Sequence, residues 1–343
     1  MPNRTETSLS STETRRIEGK ARVGVTRHLL PSIETRMEEL FDAKLNREDR
    51  PLSRDEMAAL MQNIDVLVPT VTDHIDGELI ANAGPSLKLI ANFGAGTDHI
   101  DLKAARAKGI MITNTPGVFT EDTADMTIAL IIGVMRRMRE GTRLVRRKEW
   151  TGWAPSAMLG RKLADKVLGI VGMGRIGQAV AHRARAFGMQ VVYHNRHRLP
   201  EALERMLGAE YIPTLDALLE RSDIVTLHCP ATSATHDLID ARGFGLMKDS
   251  SVIINTARGE LIDYEAMIDA LYCGKLFGAG LDVFPDEPQV DQRLIDHPNV
   301  ITQPHLGSAT EEGRAASGER VIANIRTWAD GHRPLDWVLE GWA

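Results

Sequence analysis

Cysteine is nearly absent from this chain: Cys229 and Cys273 are the only two in 343 residues. A disulfide framework and a cysteine metal site are therefore both unsupported. None of the eleven histidines falls in a His-Glu-x-x-His or similar ligand pattern, so no catalytic metal is expected. Long apolar runs are missing too. The strongest lies within Met126–Met135 and is too short to span a bilayer, so no membrane partner is expected. The first twenty residues, MPNRTETSLSSTETRRIEGK, lack the apolar core of a secretory signal, and Glu6, Glu13 and Glu18 count against a transit peptide. Residues 1–20 read as a disordered tail, and a soluble, cytoplasmic protein is expected. A net charge of −6 gives no reason to expect a nucleic acid partner, and the basic cluster Arg143–Lys148 reads as a wet helix face or an intersubunit surface.

What remains is an ordinary globular composition. The length suits two domains, and 43% hydrophobic residues suffice for buried cores. From Ala21 onward, short β-branched runs alternate with amphipathic segments. Strands are predicted at Arg22–Thr26, Val66–Pro69, Leu87–Asn92 and Met111–Asn114, with helices such as Arg54–Met61 and Leu102–Lys108 between them. One long helix is predicted over Thr123–Arg147, its apolar stripe formed by Met126, Leu130, Ile131, Val134 and Met138. Six further strands follow, at Val167–Val171, Val191–Tyr193, Ile224–His228, Val252–Asn255, Gly278–Val283 and Val300–Thr302, and a helix over Ala309–Trp328 closes the pattern. The fold class is α/β, with doubly wound parallel sheets in two Rossmann-like or flavodoxin-like domains.

The stretch VLGIVGMGRIGQAV, Val167–Val180, runs an apolar strand into Gly172, Gly174 and Gly177 and then into a helix. The first glycine permits a sharp turn, the second removes a Cβ that would block a pyrophosphate, and the third lets helix and strand pack closely. The N–H groups and positive dipole end of the helix starting near Arg175 complete a dinucleotide phosphate site. At the end of the next strand an NAD site usually carries an acid that binds the adenosine ribose. Here the residue is Asn195, followed by Arg196, His197 and Arg198. A carboxylate about 4 Å from a 2′-phosphate would cost on the order of 4 kcal/mol at an effective dielectric near 20. Asn195 lifts that exclusion, and Arg196 or Arg198 offers a bidentate phosphate clamp. The expected cofactor is NADP(H), with NAD(H) use left open.

In such sheets ligands bind beyond the carboxyl ends of the strands. Strand Val252–Asn255 delivers Thr256, Ala257 and Arg258; the following strands deliver Asp282, Glu287 and His305. At these residues the chain resembles the D-isomer-specific 2-hydroxyacid dehydrogenases. The matching strings are NFGAGTDHIDL (Asn92–Leu102), VGMGRIG (Val171–Gly177), NTARGELID (Asn255–Asp263), GLDVFPDEP (Gly280–Pro288) and PHLGSAT (Pro304–Thr310). The resemblance implies a discontinuous substrate domain, 21–121 plus 307–343, a dinucleotide-binding domain, 122–306, an active-site cleft between them, and a homodimer. Within the family, VTDHID and the Asn-Arg strand ending look most like glyoxylate and hydroxypyruvate reductases. NRHRLPE also resembles bacterial formate dehydrogenases, which carry Gln where this chain has Glu287, so Glu287 counts against formate oxidation. An NAD-dependent dehydrogenase of another D-2-hydroxy acid stays open, as does a dinucleotide-sensing, corepressor-like binding protein.

The resemblance further implies that Arg258, Glu287 and His305 form the catalytic set acting on a small 2-keto acid. Protonated His305 would donate to the oxygen that gains charge as hydride arrives, Glu287 would fix its tautomer, and Arg258 would grip carboxylate and carbonyl oxygens. It also implies backbone donors at Ala95 and Gly96 for the substrate carboxylate, Thr123 near the nicotinamide, and Arg175 and Ile176 at the pyrophosphate. Cys229, Pro230 and Thr235 would line the adenosine pocket, and Asp282 would accept from the nicotinamide amide. Cys229 is otherwise an ordinary thiol with no redox role.

Overall fold

The computed structural model describes Gly19–Val338. The predicted N-terminal tail lies outside the described residues except for Gly19 and Lys20, as do residues 339–343. The chain divides into two compact units, Met1–Val118 with Glu311–Ala343, and Phe119–Thr310. Among the described residues, no helix is long and apolar enough to cross a membrane.

The first unit holds β1 (Arg22–Val25), β2 (Asp42–Lys44), β3 (Val66–Val68), β4 (Leu89–Ala91) and β5 (Met111–Thr113). They pair in parallel in the order β2-β1-β3-β4-β5, a flavodoxin-like arrangement. Strands β3, β4 and β5 are apolar runs buried on both faces, as a parallel sheet covered by helices requires. Strand β2 was not predicted. Its Asp-Ala-Lys sequence is three residues long at the sheet edge, where one partner strand suffices and no apolar periodicity is imposed.

The second unit holds β6 (Val167–Val171), β7 (Gln190–His194), β8 (Ala209–Tyr211), β9 (Ile224–Leu227), β10 (Ser251–Asn255), β11 (Leu276–Leu281) and β12 (Val300–Thr302). The order β12-β11-β10-β9-β6-β7-β8 is the doubly wound nucleotide topology with one added edge strand. Seven strands thus replace the six predicted. The unpredicted β8, Ala-Glu-Tyr, is again short and at an edge. The two faces of this sheet bury separate apolar clusters, one including Val225, Leu227, Ile253 and Leu281, the other Leu168, Ile170, Ile224 and Ile254.

The single helix predicted over Thr123–Arg147 is two, Thr120–Met135 and Met138–Arg146. Arg137 breaks it with a left-handed backbone, φ 53°, held by an Arg137–Glu140 ion pair at 2.6 Å. Ile131 and Val134 are fully buried, whereas Met138, past the break, is 55% exposed and leaves the stripe.

Register then decides where chemistry can gather. Val171, Leu227, Asn255, Leu281 and Thr302 stand opposite one another across five adjacent strands. The loops that begin at Gly172, His228, Thr256, Asp282 and Gln303 therefore leave the sheet at one level, on one edge.

Candidate active site

The glycine loop follows β6. Gly172 has φ 98°, and a Cβ there would sit 2.6 Å from the carbonyl carbon of His228, so the protein itself demands glycine. A Cβ on Gly177 would meet the Gly172 oxygen at 2.3 Å. Gly174 is different. Its φ of −77° suits any residue and nothing lies within 4 Å of a Cβ built on it, so no internal contact requires glycine. That empty cradle faces the start of the helix Arg175–Ala186, whose N-cap is Gly174 itself and which has no side-chain cap. Uncapped N–H groups beside a glycine that no internal contact requires suit an anion, and a dinucleotide pyrophosphate fits them.

On the β7 side, Asn195 is turned toward the loop, its Oδ1 accepting from the Met173 N–H at 2.7 Å. Arg198 is committed elsewhere. Its Nε and Nη2 donate to the two oxygens of Glu204 at 2.9 and 2.8 Å, and Tyr193 Oη donates to the same carboxylate at 2.6 Å. The Arg198 bond, with that of Tyr193, holds the Glu204 carboxyl down at about 2. Arg196 is exposed and makes no hydrogen bond or ion pair to a described residue. Of the two candidate phosphate clamps, only Arg196 has its guanidinium uncommitted.

Cys229 is half-buried, and burial pushes its thiol up to about 11 despite the opposing Arg196 charge. The neighbouring His228, hydrogen-bonded to Thr226 at 2.9 Å, is pushed by burial down to about 3 and stays neutral. Thr235 closes its own turn, donating to the Pro230 carbonyl at 2.7 Å.

Beyond β10, β11 and β12 the polar groups converge. His305 Nδ1 and Glu287 Oε2 lie 2.9 Å apart, while Glu287 Oε1 accepts from the Phe284 N–H at 3.0 Å. Burial opposes the charged form of Glu287, but the His305 hydrogen bond and charge, the Phe284 N–H and the Arg258 charge together hold its carboxyl below the usual value. With Nδ1 engaged, the other ring nitrogen, Nε2, makes no hydrogen bond to a described residue. His305 itself has a left-handed backbone, φ 54°, which a non-glycine residue adopts only under constraint.

The constraint is visible. Asp282, fully buried, accepts from Leu306 N–H at 2.7 Å and Gly307 N–H at 2.6 Å, and its own carbonyl takes the His305 N–H at 2.9 Å. Thr123 donates to the Gly307 carbonyl at 3.0 Å. Both carboxylate oxygens of Asp282, assigned from the family pattern to a nicotinamide contact, are thus bonded to the His305 turn. Burial raises the Asp282 carboxyl, an effect the two N–H donors and His305 only partly offset.

Arg258 is placed by a residue the sequence did not single out. Buried Asn255 accepts from Ala257 N–H at 3.0 Å and donates to the Arg258 carbonyl at 2.7 Å, fixing the turn after β10. Gly259 then allows the next loop in, since a Cβ there would lie 2.1 Å from the Phe284 carbonyl carbon. The Asn255 signal was present, as a polar residue ending a buried strand; the Glu204 role depends on the helix Glu201–Leu207 meeting Tyr193 and Arg198, that of Gly259 on the approach of the Phe284 loop, and neither left a local mark.

Ala95 and Gly96 lie in the first unit, after β4. The Asn92 side chain donates to the carbonyls of Gly94 and Gly96 at 3.0 and 2.8 Å, and Asn114 donates to that of Ala95 at 2.7 Å. With the carbonyls taken inward, the N–H groups of Ala95 and Gly96 bond to no described residue.

Residues 128–307 match the model of the D-isomer specific 2-hydroxyacid dehydrogenase NAD binding domain. The glyoxylate reductase of Thermococcus litoralis is 42% identical over 323 residues, 93% of this chain and 97% of that protein. The TT0316 protein of Thermus thermophilus superposes with a TM-score of 0.86 at 42% identity, over 93% of this chain and all of that one. An NADPH-dependent glyoxylate/hydroxypyruvate reductase from Sinorhizobium meliloti, solved with NADP and malonate, gives 0.83 at 32% identity over 94% of this chain and 98% of its own. With the glycine loop and the paired His305 and Glu287, these matches show that the chain belongs to the D-isomer-specific 2-hydroxyacid dehydrogenase family, NAD(P)-dependent oxidoreductases.

Proposed function

We propose that the protein reduces a small 2-keto acid, glyoxylate or hydroxypyruvate, to glycolate or D-glycerate, with NADPH preferred to NADH. The observation that carries this is the 2.9 Å His305–Glu287 pair with the Arg258 charge beside it. A bound reduced nicotinamide supplies the hydride. His305 Nε2 gives its proton to the carbonyl oxygen as that oxygen gains charge, and Glu287 stays ionised and stabilises the imidazolium through Nδ1. Acid catalysis of this kind contributes about 10² to 10⁴ in rate. Arg258 offers a planar, permanently charged fork to the carboxylate and carbonyl oxygens, and we assign the Ala95 and Gly96 N–H groups to the substrate carboxylate.

The substrate class is supported by the activities that the names of the relatives carry, and the cofactor preference by Asn195 in place of an acid and by exposed Arg196. Specificity constants for a panel of 2-keto acids with each cofactor test both. Glyoxylate or hydroxypyruvate ranking first with NADPH is expected; a clear NADH preference contradicts the cofactor assignment, and no turnover of any 2-keto acid contradicts the reaction. We also propose a homodimer. The helix Met138–Arg146 buries no residue, and Met138, Val145, Trp150, Trp153 and Leu159 are exposed. Light scattering returning the mass of one chain contradicts it.

A further inference from the structure

The helix Thr120–Met135 turns two threonines, one helical turn apart, toward the strand ends. Thr123 donates to Gly307, as described. Thr127, fully buried, donates to the Thr123 carbonyl at 2.8 Å, which uses its only proton. Its 2.9 Å contact with Thr256 Oγ1 is therefore a hydrogen bond donated by Thr256. Thr256 is itself buried and stands two residues before Arg258.

We propose that Thr127 is a positioning residue for the reaction: through Thr256 and Thr123 it fixes the turn bearing Arg258 against the turn bearing His305. The helix is a rigid element, so two hydroxyls on one of its faces set a fixed distance between the two turns. Asn255 and Asp282 shape the two turns and are joined through the backbone, the Asp282 N–H donating to the Asn255 carbonyl at 2.9 Å; the threonine chain adds a second link, made by side chains. The Thr127 hydroxyl meets both the Thr123 carbonyl and Thr256 Oγ1, so removing it breaks this link. The proposal rests on Arg258 and His305 as the acting groups.

Thr127→Val keeps the shape and removes the hydroxyl; Thr127→Ser keeps the hydroxyl. In the full-length protein, Thr127→Val is expected to lower kcat about tenfold, because small misplacements of acting groups are costly. Cofactor Kd, read by NADPH fluorescence, should stay within about twofold, and Thr127→Ser should restore kcat to within about twofold of the parent. An unchanged kcat in Thr127→Val overturns the proposal, as does a Ser variant as impaired as Val, or a loss confined to cofactor binding. If the parent turns over no 2-keto acid, the proposed function falls instead. Amide exchange at Ala257 and Arg258 then decides: faster exchange in Thr127→Val supports the tether, and unchanged exchange refutes it.

Discussion

At the β10–β12 end of the second sheet, Arg258, Glu287 and His305 each lean on buried neighbours, while at the β6–β7 end Arg196 stands exposed and bonded to no described residue. The contrast matches what each end would do in the proposed function. In the proposed reaction, proton and hydride transfer would need groups held within a fraction of an ångström, and the turns after β10 and β12 are tied by Asn255, Asp282 and Thr123 and carry a strained His305. Recognition of a 2′-phosphate, as proposed, would need a cation within reach, and exposed Arg196 would supply it.

The comparison can be broken most severely at the rigid end. Arg258→Ala is expected to lower kcat/KM for the 2-keto acid by about 10³, since a charged donor aimed at developing negative charge is lost. Steady-state kinetics check this, and a loss under about tenfold would remove Arg258 from the reacting groups. Glu287→Gln should cost less, roughly 10² in kcat, because His305 remains while its charged partner does not. It carries a pH signature too. The Glu287 carboxyl lies below its ordinary value in the folded protein, so its stabilising contribution is present above the unfolded carboxylate range and drains away as pH falls through the folded value. The difference in Tm between parent and Glu287→Gln should narrow below about pH 4. A gap that widens there reverses the sign.

Smaller effects are expected at the exposed end, and they separate its two arginines. Arg196→Ala should lower the NADPH-over-NADH specificity ratio about tenfold, the loss of one charge-assisted contact. Arg198→Ala should change that ratio by less than about threefold, because its fork is bound to Glu204. The reverse ranking would mean that Arg198 leaves Glu204 when cofactor binds. Asn195→Asp keeps an acceptor for the Met173 N–H, so it tests charge with little change of shape, and a shift of several-fold toward NADH is expected.

Much of the second unit was legible because its central strands are mostly apolar runs buried on both faces. The runs at Val167, Ile224, Val252 and Val300 stand where the pattern put them, and the glycine spacing marked the helix start at Arg175. Edge strands β2 and β8 were invisible because three residues with one partner impose no pattern, and the break at Arg137 hid inside a run that is helical on both sides. The same limit applied at the site. His305 and Glu287 follow strands and could be named, but that Arg198 belongs to Glu204, or that Asp282 faces the His305 turn, depends on side chains meeting across loops. Such pairings leave no spacing in one sequence.

The most direct measurement is the single-turnover rate of NADPH oxidation by glyoxylate in His305→Ala, with NADPH Kd determined alongside. Hydride transfer slowed by about 10² or more with cofactor affinity unchanged is the expected result. A rate within about tenfold of the parent would contradict the assignment of His305 as the proton donor, and with it the account of the rigid end.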